Sequence, residues 1–442
     1  MSSVLSSANM RATLSLQEDG NLVLLHDGTP VWASGNILPL APPTPTPENG
    51  LPRLRAIPGE RFLRTDDGVW DGREATFMSG FSLWLQGRQV EMDVAIERLK
   101  EHGEINSVRC LLNLGGDYWE NRGQANAFTD PAFYPSLVPF AEWLESHSLY
   151  LHVSLFGGVE AFGAEPDWER RGDVVTGDAD VIPRMHAYLD QAVGTLRKQP
   201  NVFFQVANEP HQIGFGRNSQ VVIELGEHAR ELLDDDTPLD LGAQDEDYWD
   251  FAAAPANSFS YHLRRKEDWD HFASVKRLIE GDADAWTGPV YDDEPFNMGD
   301  KKERSTATAF CLGAMNRLKR VSISTFHANE LLGCKLDHPD TIACLKAWSR
   351  GLDAIPIEVP GQGCNGHWSC SPVAEGSFPP SEDASDDWDG PIRVYGRRDG
   401  DKWIGVSLRE PKDYTMRWKG NKTPRVVDSE TWGEWKAAVY ET

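Results

Sequence analysis

Two short runs of this 442-residue chain put carboxylates where strands should end. Asn208-Glu209-Pro210 closes the apolar run VFFQVANEP (202–210), and Asp292-Asp293-Glu294-Pro295 closes GPVYDDEPF (288–296). A glutamate is seldom buried without a partner, so an apolar strand that delivers Asn-Glu-Pro is poorly explained as core packing. Two carboxyls facing one substrate can divide the cleavage of a glycosidic acetal. One protonates the leaving oxygen, and the other attacks the anomeric carbon or activates water. Carboxyls about 5–5.5 Å apart give retention and wider gaps give inversion. The expected pair is Glu209 and Glu294, with Asp292 and Asp293 as rivals for the second place.

The elements that must carry these residues follow a regular rhythm from about residue 51. Eight strand-like runs alternate with helix-length amphipathic segments: 77–84, 107–114, 149–157, 202–210, 238–244, 258–264, 288–296 and 321–328. Eight βα units over 51–355 predict an α/β fold, a (β/α)₈ TIM barrel. An open doubly wound sheet is disfavoured because no glycine-rich phosphate fingerprint follows the first run. Barrel active sites lie at the C-terminal ends of the strands. Polar residues expected there are Arg109 and Asn113 from the second strand, His152 from the third, Tyr261 and His262 from the sixth, and His327 from the eighth. Trp84, Tyr118, Trp119, Phe326 and Trp368 fall where aromatic rings could line sugar subsites.

The two ends of the chain read differently. Residues 1–36 alternate around Asp19-Gly20 and Asp27-Gly28 as a β-hairpin segment, and 37–50 (ILPLAPPTPTPENG) is a proline-rich linker. Residues 356–442 read as a small β domain. The run Gln17-x-Asp19-x-Asn21-x-Val23-x-Leu25 resembles one mannose-binding repeat of the bulb-type lectins, with Leu25 in place of that motif's tyrosine. The resemblance implies sugar contacts by Gln17, Asp19 and Asn21. A degenerate repeat that docks on the rest of the chain, on further copies or on a virion is the alternative.

The barrel region, about 51–355, resembles the clan A superfamily of retaining (β/α)₈ glycoside hydrolases. In that clan an Asn-Glu motif after strand 4 supplies the acid/base and a glutamate after strand 7 the nucleophile. The resemblance implies these roles for Glu209 and Glu294. It further implies contacts with the sugar 2-hydroxyl for Asn208, support of the nucleophile for Arg109, and an aromatic or histidine contact to the carboxyls for Tyr261 or His262. No cofactor or metal is implied, and the sequence has no HExxH helix, GxSxG elbow or Walker loop.

Composition narrows the partners. A formal net charge of −26 argues against phosphate backbones and anionic membranes, both of which attract basic proteins. No apolar run is long enough for a membrane span, and no secretory signal is read at the start. Sixteen tryptophans suit a carbohydrate-binding protein. Cys110, Cys311 and Cys344 read as buried apolar residues, while Cys364 and Cys370 could close a small ring. A non-catalytic carbohydrate-binding or structural subunit, such as a phage virion component, is the alternative to an enzyme. Location stays open: outside the cell by virion association or release, otherwise cytoplasmic.

Overall fold

A computed structural model describes residues 50–113, 125–158, 180–210, 220–242, 255–262, 286–294 and 306–359, with isolated strands and positions elsewhere, including both ends of the chain. Its centre is an eight-stranded parallel sheet: β1 (Gly72–Thr76), β2 (Ser107–Asn113), β3 (Tyr150–Phe156), β4 (Val202–Ala207), β5 (Leu239–Asp240), β6 (Phe259–His262), β7 (Val290–Glu294) and β8 (Ile323–Phe326). The order around it is β5-β4-β3-β2-β1-β8-β7-β6. The N–H groups of Asn257 and Ser258, just before β6, donate to Leu239 O of β5 at 3.1 and 3.3 Å and bring the two ends of the sheet together. The chain is therefore a (β/α)₈ barrel, as the alternation of runs predicts.

Helices cover the outside: α1 (Gly80–Leu85), α2 (Gln89–Gly103), α3 (Phe133–Ser146), α4 (Val181–Leu196), α5 (Gln220–Leu232), α6 (Thr306–Leu318), α7 (Asn329–Leu332) and α8 (Pro339–Asp353). The helix-length segments that follow the fifth and sixth strand-like runs, 245–254 and 268–280, lie outside the described residues. Strands buried on both faces need apolar residues that point outward as well as inward. Val108, Cys110, Leu112, Leu151, Val153 and Leu155 point outward into the main core. They meet helix stripes such as Met185, Leu189, Ala192 and Val193 of α4, spaced for one helical face. α6 and α8 approach so closely that a Cβ on Gly313 or Gly351 would lie 2.2 or 2.1 Å from the backbone oxygens of Trp348 or Phe310.

The first strand corrects the sequence reading. The run 77–84 is not a strand; β1 is Gly72–Thr76, and Gly80–Leu85 is helical. Two charges, Arg73 and Glu74, disguise β1 in a hydrophobicity reading, yet both are buried. Arg73 faces Asp71 and Asp353, and Glu74 faces the barrel interior. The apolar run after β1 buries Phe77, Phe81 and Leu83 from a turn and a short helix instead, with Phe81 edge-on to Phe133 at 5.1 Å.

Residues 51–70, assigned from sequence simply to the barrel, form its floor. Leu54, Ala56, Leu63 and Trp70 join Tyr150, Phe203, Tyr291 and Ile323, which lie at or next to the first residues of their strands, in one apolar cluster. Trp70 sits edge-on to Tyr150 at 5.1 Å. Among the described residues this cluster plugs the N-terminal mouth of the barrel.

At the N-terminus, Ser2–Ser6, Ala12–Leu16, Leu22–His26 and Thr29–Ala33 form a four-stranded antiparallel meander, two strands more than one hairpin. At the C-terminus, β9 (Gln362–Asn365), β10 (Ile392–Asp399), β11 (Lys402–Arg409), β12 (Arg425–Trp432) and β13 (Trp435–Glu441) form a sheet in the order β9-β10-β11-β13-β12. Val406, Leu408, Ala437 and Val439 of this sheet join the main core. Arg350 of α8 pairs with Asp428 and Glu430 at 2.7 Å each, and Arg397 donates to Leu318 O of α6.

Candidate active site

The interior of the barrel above its apolar floor is polar and buried. Strand register places Arg109 level with His152, His152 level with Phe203, and Gln205 level with Asp240. Glu74, Arg109, His152, Gln205, Asp240 and Ser260 are all 0% exposed. Charges buried this deeply persist only when paired and hydrogen-bonded. Here two cations, Arg109 and His152, share the interior with two carboxylates, Glu74 and Asp240.

The bonds form one chain. His152 Nδ1 meets Glu74 Oε2 at 3.1 Å, and Nε2 meets Asp240 Oδ2 at 3.3 Å. Glu74 also accepts from Ser107 Oγ and Thr325 Oγ1, each at 3.1 Å. Asp240 Oδ1 accepts from Gln205 Nε2 at 3.1 Å, from Ser260 Oγ at 2.5 Å and from the Gly242 N–H at 3.0 Å. Gln205 Oε1 accepts from Arg109 Nη2 at 2.6 Å, and the same Nη2 donates to Asn208 Oδ1 at 2.7 Å. Because both ring nitrogens of His152 face carboxylates, the ring holds both protons. Burial opposes that charge, but Glu74 and Asp240 outweigh it and raise the His152 pKa to about 9. The ring lies flat on Phe203, centroids 4.5 Å apart.

Asn208 and Glu209 stand at the top of this chain, just past β4. The Asn208 N–H donates to Phe156 O at 3.0 Å, tying the turn to β3. Glu209 is partly exposed and has φ +43°, the left-handed region that non-glycine residues seldom occupy. Such backbone geometry concentrates at functional sites. Gly242 packs behind this turn with φ +134°, and a Cβ there would lie 2.2 Å from Ala207 O. The close approach and the dihedral together require glycine.

The other expected residues fall into three groups. Arg109 and Asn208 are brought together, and His327 lies at the end of β8 with Nδ1 2.8 Å from Thr76 Oγ1. Tyr261, His262 and Glu294 end β6 and β7. A register irregularity there skips Asp293, so that His262 pairs with Glu294. Their side chains lie outside the described residues, as do Asp293, Tyr118, Trp119, Trp368 and the lectin-like Gln17, Asp19 and Asn21. Asp292 is buried and accepts from Asn316 Nδ2 of α6 at 2.8 Å, which directs it toward the helix layer. Trp84 is corrected: it belongs to α1, and its indole packs against Phe140 and Trp143 of α3, not at a strand end.

Sequence reasoning missed Glu74, Gln205, Asp240 and Ser260. Gln205 carried a signal, a lone polar residue in step with Phe203 and Ala207 on one face of an apolar strand. Asn113 at the end of β2 is fully buried, and neither its carboxamide oxygen nor its nitrogen has a partner among the described residues. Among the described residues no cluster of three or more histidine, cysteine or acidic side chains could hold a metal ion. Cys110, Cys311, Cys334 and Cys344 are buried free thiols, and burial drives the Cys110 thiol far up. No described helix is long and apolar enough to cross a membrane.

No family model matches the sequence, and a search of curated proteins returns no match. Among solved structures the chain is similar to a glycoside hydrolase at TM-score 0.51 and 11% identity, over 90% of this chain and 98% of that one. It is also similar to a family 5 glycoside hydrolase, a mannosidase from Rhizomucor miehei, at TM-score 0.50 and 14% identity, over 68% of this chain and 97% of that one. Identities this low speak for architecture alone: this chain folds as a (β/α)₈ barrel of the kind found in those two glycoside hydrolases.

Proposed function

We propose that this chain is a retaining glycoside hydrolase acting on a poly- or oligosaccharide, with residues 51–355 as its catalytic unit between the N-terminal segment (1–36, linker 37–50) and the β region 356–442. The observation that carries the reading is the Asn208-Glu209 turn. It stands at the C-terminal end of β4 on a strained backbone, with Asn208 held by a buried arginine and Glu209 partly exposed. In this reading Glu209 donates its proton to the leaving glycosidic oxygen while Glu294 attacks the anomeric carbon. The C–O bond to the leaving group breaks as the glycosyl–Glu294 ester forms. Glu209, now a carboxylate, takes a proton from water, whose oxygen opens the ester and restores Glu294.

Arg109 holds the Asn208 oxygen, so Asn208 Nδ2 is the face left for a sugar 2-hydroxyl. In this reading Tyr261, His262, His327 and Trp119 are further substrate contacts.

The test is hydrolysis of a panel of polysaccharides and aryl glycosides, mannosides first because a mannosidase is among the fold relatives. Glu209→Gln and Glu294→Gln should each lower turnover of a cleaved glycan by at least about 10³-fold while binding persists. Wild-type turnover by both variants would overturn the reading.

A further inference from the structure

We propose that His152 is a positioning residue of this reaction: clamped between Glu74 and Asp240, it sets the direction of a hydrogen-bond chain through Gln205 and Arg109 that ends on the Asn208 oxygen and leaves Asn208 Nδ2 for the sugar. The proposal rests on the reading of Asn208 and Glu209 above and goes beyond it by reaching below the reacting groups. The argument is one of direction. An ionised carboxylate only accepts and a guanidinium only donates. Gln205 lies between Asp240 and Arg109, so its amide has one way round, Nε2 to the carboxylate and Oε1 to the arginine. Arg109 then fixes the Asn208 carboxamide in the same sense.

This holds only while Asp240 stays ionised, and the His152 imidazolium beside it offsets the cost of burying that charge. The groups around its ring are Glu74 from β1, Asp240 from β5, Phe203 from β4 and Tyr291 from β7, with Arg109 level with it on β2. Without the imidazolium two anions face one cation, and one carboxyl takes up a proton. A protonated Asp240 can donate to Gln205, whose amide then turns its nitrogen toward Arg109. Two donors now oppose each other, and Arg109 withdraws from Asn208.

The experiment compares a 4-nitrophenyl glycoside that the protein cleaves with its 2-deoxy analogue, which has no hydroxyl for Asn208 to hold. Wild type, His152→Gln and Gln205→Met are assayed on both, with circular dichroism to confirm folding. Gln205→Met leaves both charge pairs in place and serves even where His152→Gln fails to fold. Each variant is expected to lower kcat about tenfold on the parent glycoside with KM within about twofold, and to lower it only about twofold on the 2-deoxy substrate. Equal losses on the two substrates, in protein whose activity still depends on Glu209, would overturn the positioning proposal alone. A wild-type protein that cleaves no glycoside, or a Glu209→Gln variant as active as wild type, overturns the functional reading and this proposal with it.

Discussion

Raising the pH from 6.5 to 9.5 should weaken this fold through one residue above others. His152 is fully buried and its two carboxylate partners hold its pKa at about 9, against 6.5 for an ordinary histidine. The folded chain therefore binds this proton more tightly than the unfolded chain. The resulting stabilisation is complete below about pH 6.5, declines between 6.5 and about 9, and is gone above that. Its size follows from the displacement of the pKa, about 3 kcal/mol at roughly 1.4 kcal/mol per pH unit. His147, raised by its bond to Asp93 against the cost of burial, contributes with the same sign. Comparison with a variant at 152 cancels it. Urea unfolding followed by tryptophan fluorescence at pH 6.5 and 9.5 measures the effect in wild type and in a His152→Gln/Asp240→Asn double variant, which removes one carboxylate together with the cation so that no buried carboxyl needs a proton. Wild type should lose about 3 kcal/mol more than the variant over this interval. Equal losses in the two proteins would refute the charged His152 and the buried chain built on it.

Three further outcomes follow from the packing. Arg109→Lys replaces a fork that spans Gln205 and Asn208 with a single ammonium, and steady-state kinetics should show kcat reduced about tenfold with little change in KM. Asn113→Leu removes a buried carboxamide that has no partner among the described residues, so chemical denaturation should show about 1 kcal/mol of added stability. Gly351→Ala places a methyl group against Phe310 O, forcing α6 and α8 apart. Thermal unfolding should report a loss of about 1–3 kcal/mol.

The sequence displays some of this architecture openly and hides the rest for physical reasons. Seven of the strands are apolar enough to show as runs because both of their faces are buried. β1 does not show, because Gly72–Thr76 carries Arg73 and Glu74, each neutralised by partners distant in sequence. The Asn208-Glu209-Pro210 turn is legible because its polarity interrupts an apolar strand at its end. Asp292 could not be separated from Glu294 by sequence, since the decisive bond comes from Asn316, 24 residues on. Trp84 looked like a rim aromatic only because the helix containing it was read as a strand. The interior chain from Glu74 to Asn208 joins residues of β1, β3, β5, β4 and β2, and no local pattern announces a contact that exists only when a barrel closes.

The central claim is that Glu209 protonates the leaving oxygen, and leaving-group dependence tests it most directly. A poor leaving group needs that proton, whereas 2,4-dinitrophenolate departs without it. With Glu209→Gln, cleavage of an unactivated glycan should fall by at least about 10³-fold. The first burst of dinitrophenolate from the matching activated glycoside should persist at close to the wild-type rate. Loss of both reactions by the same factor, or of neither, would contradict the assignment of Glu209 as the acid/base.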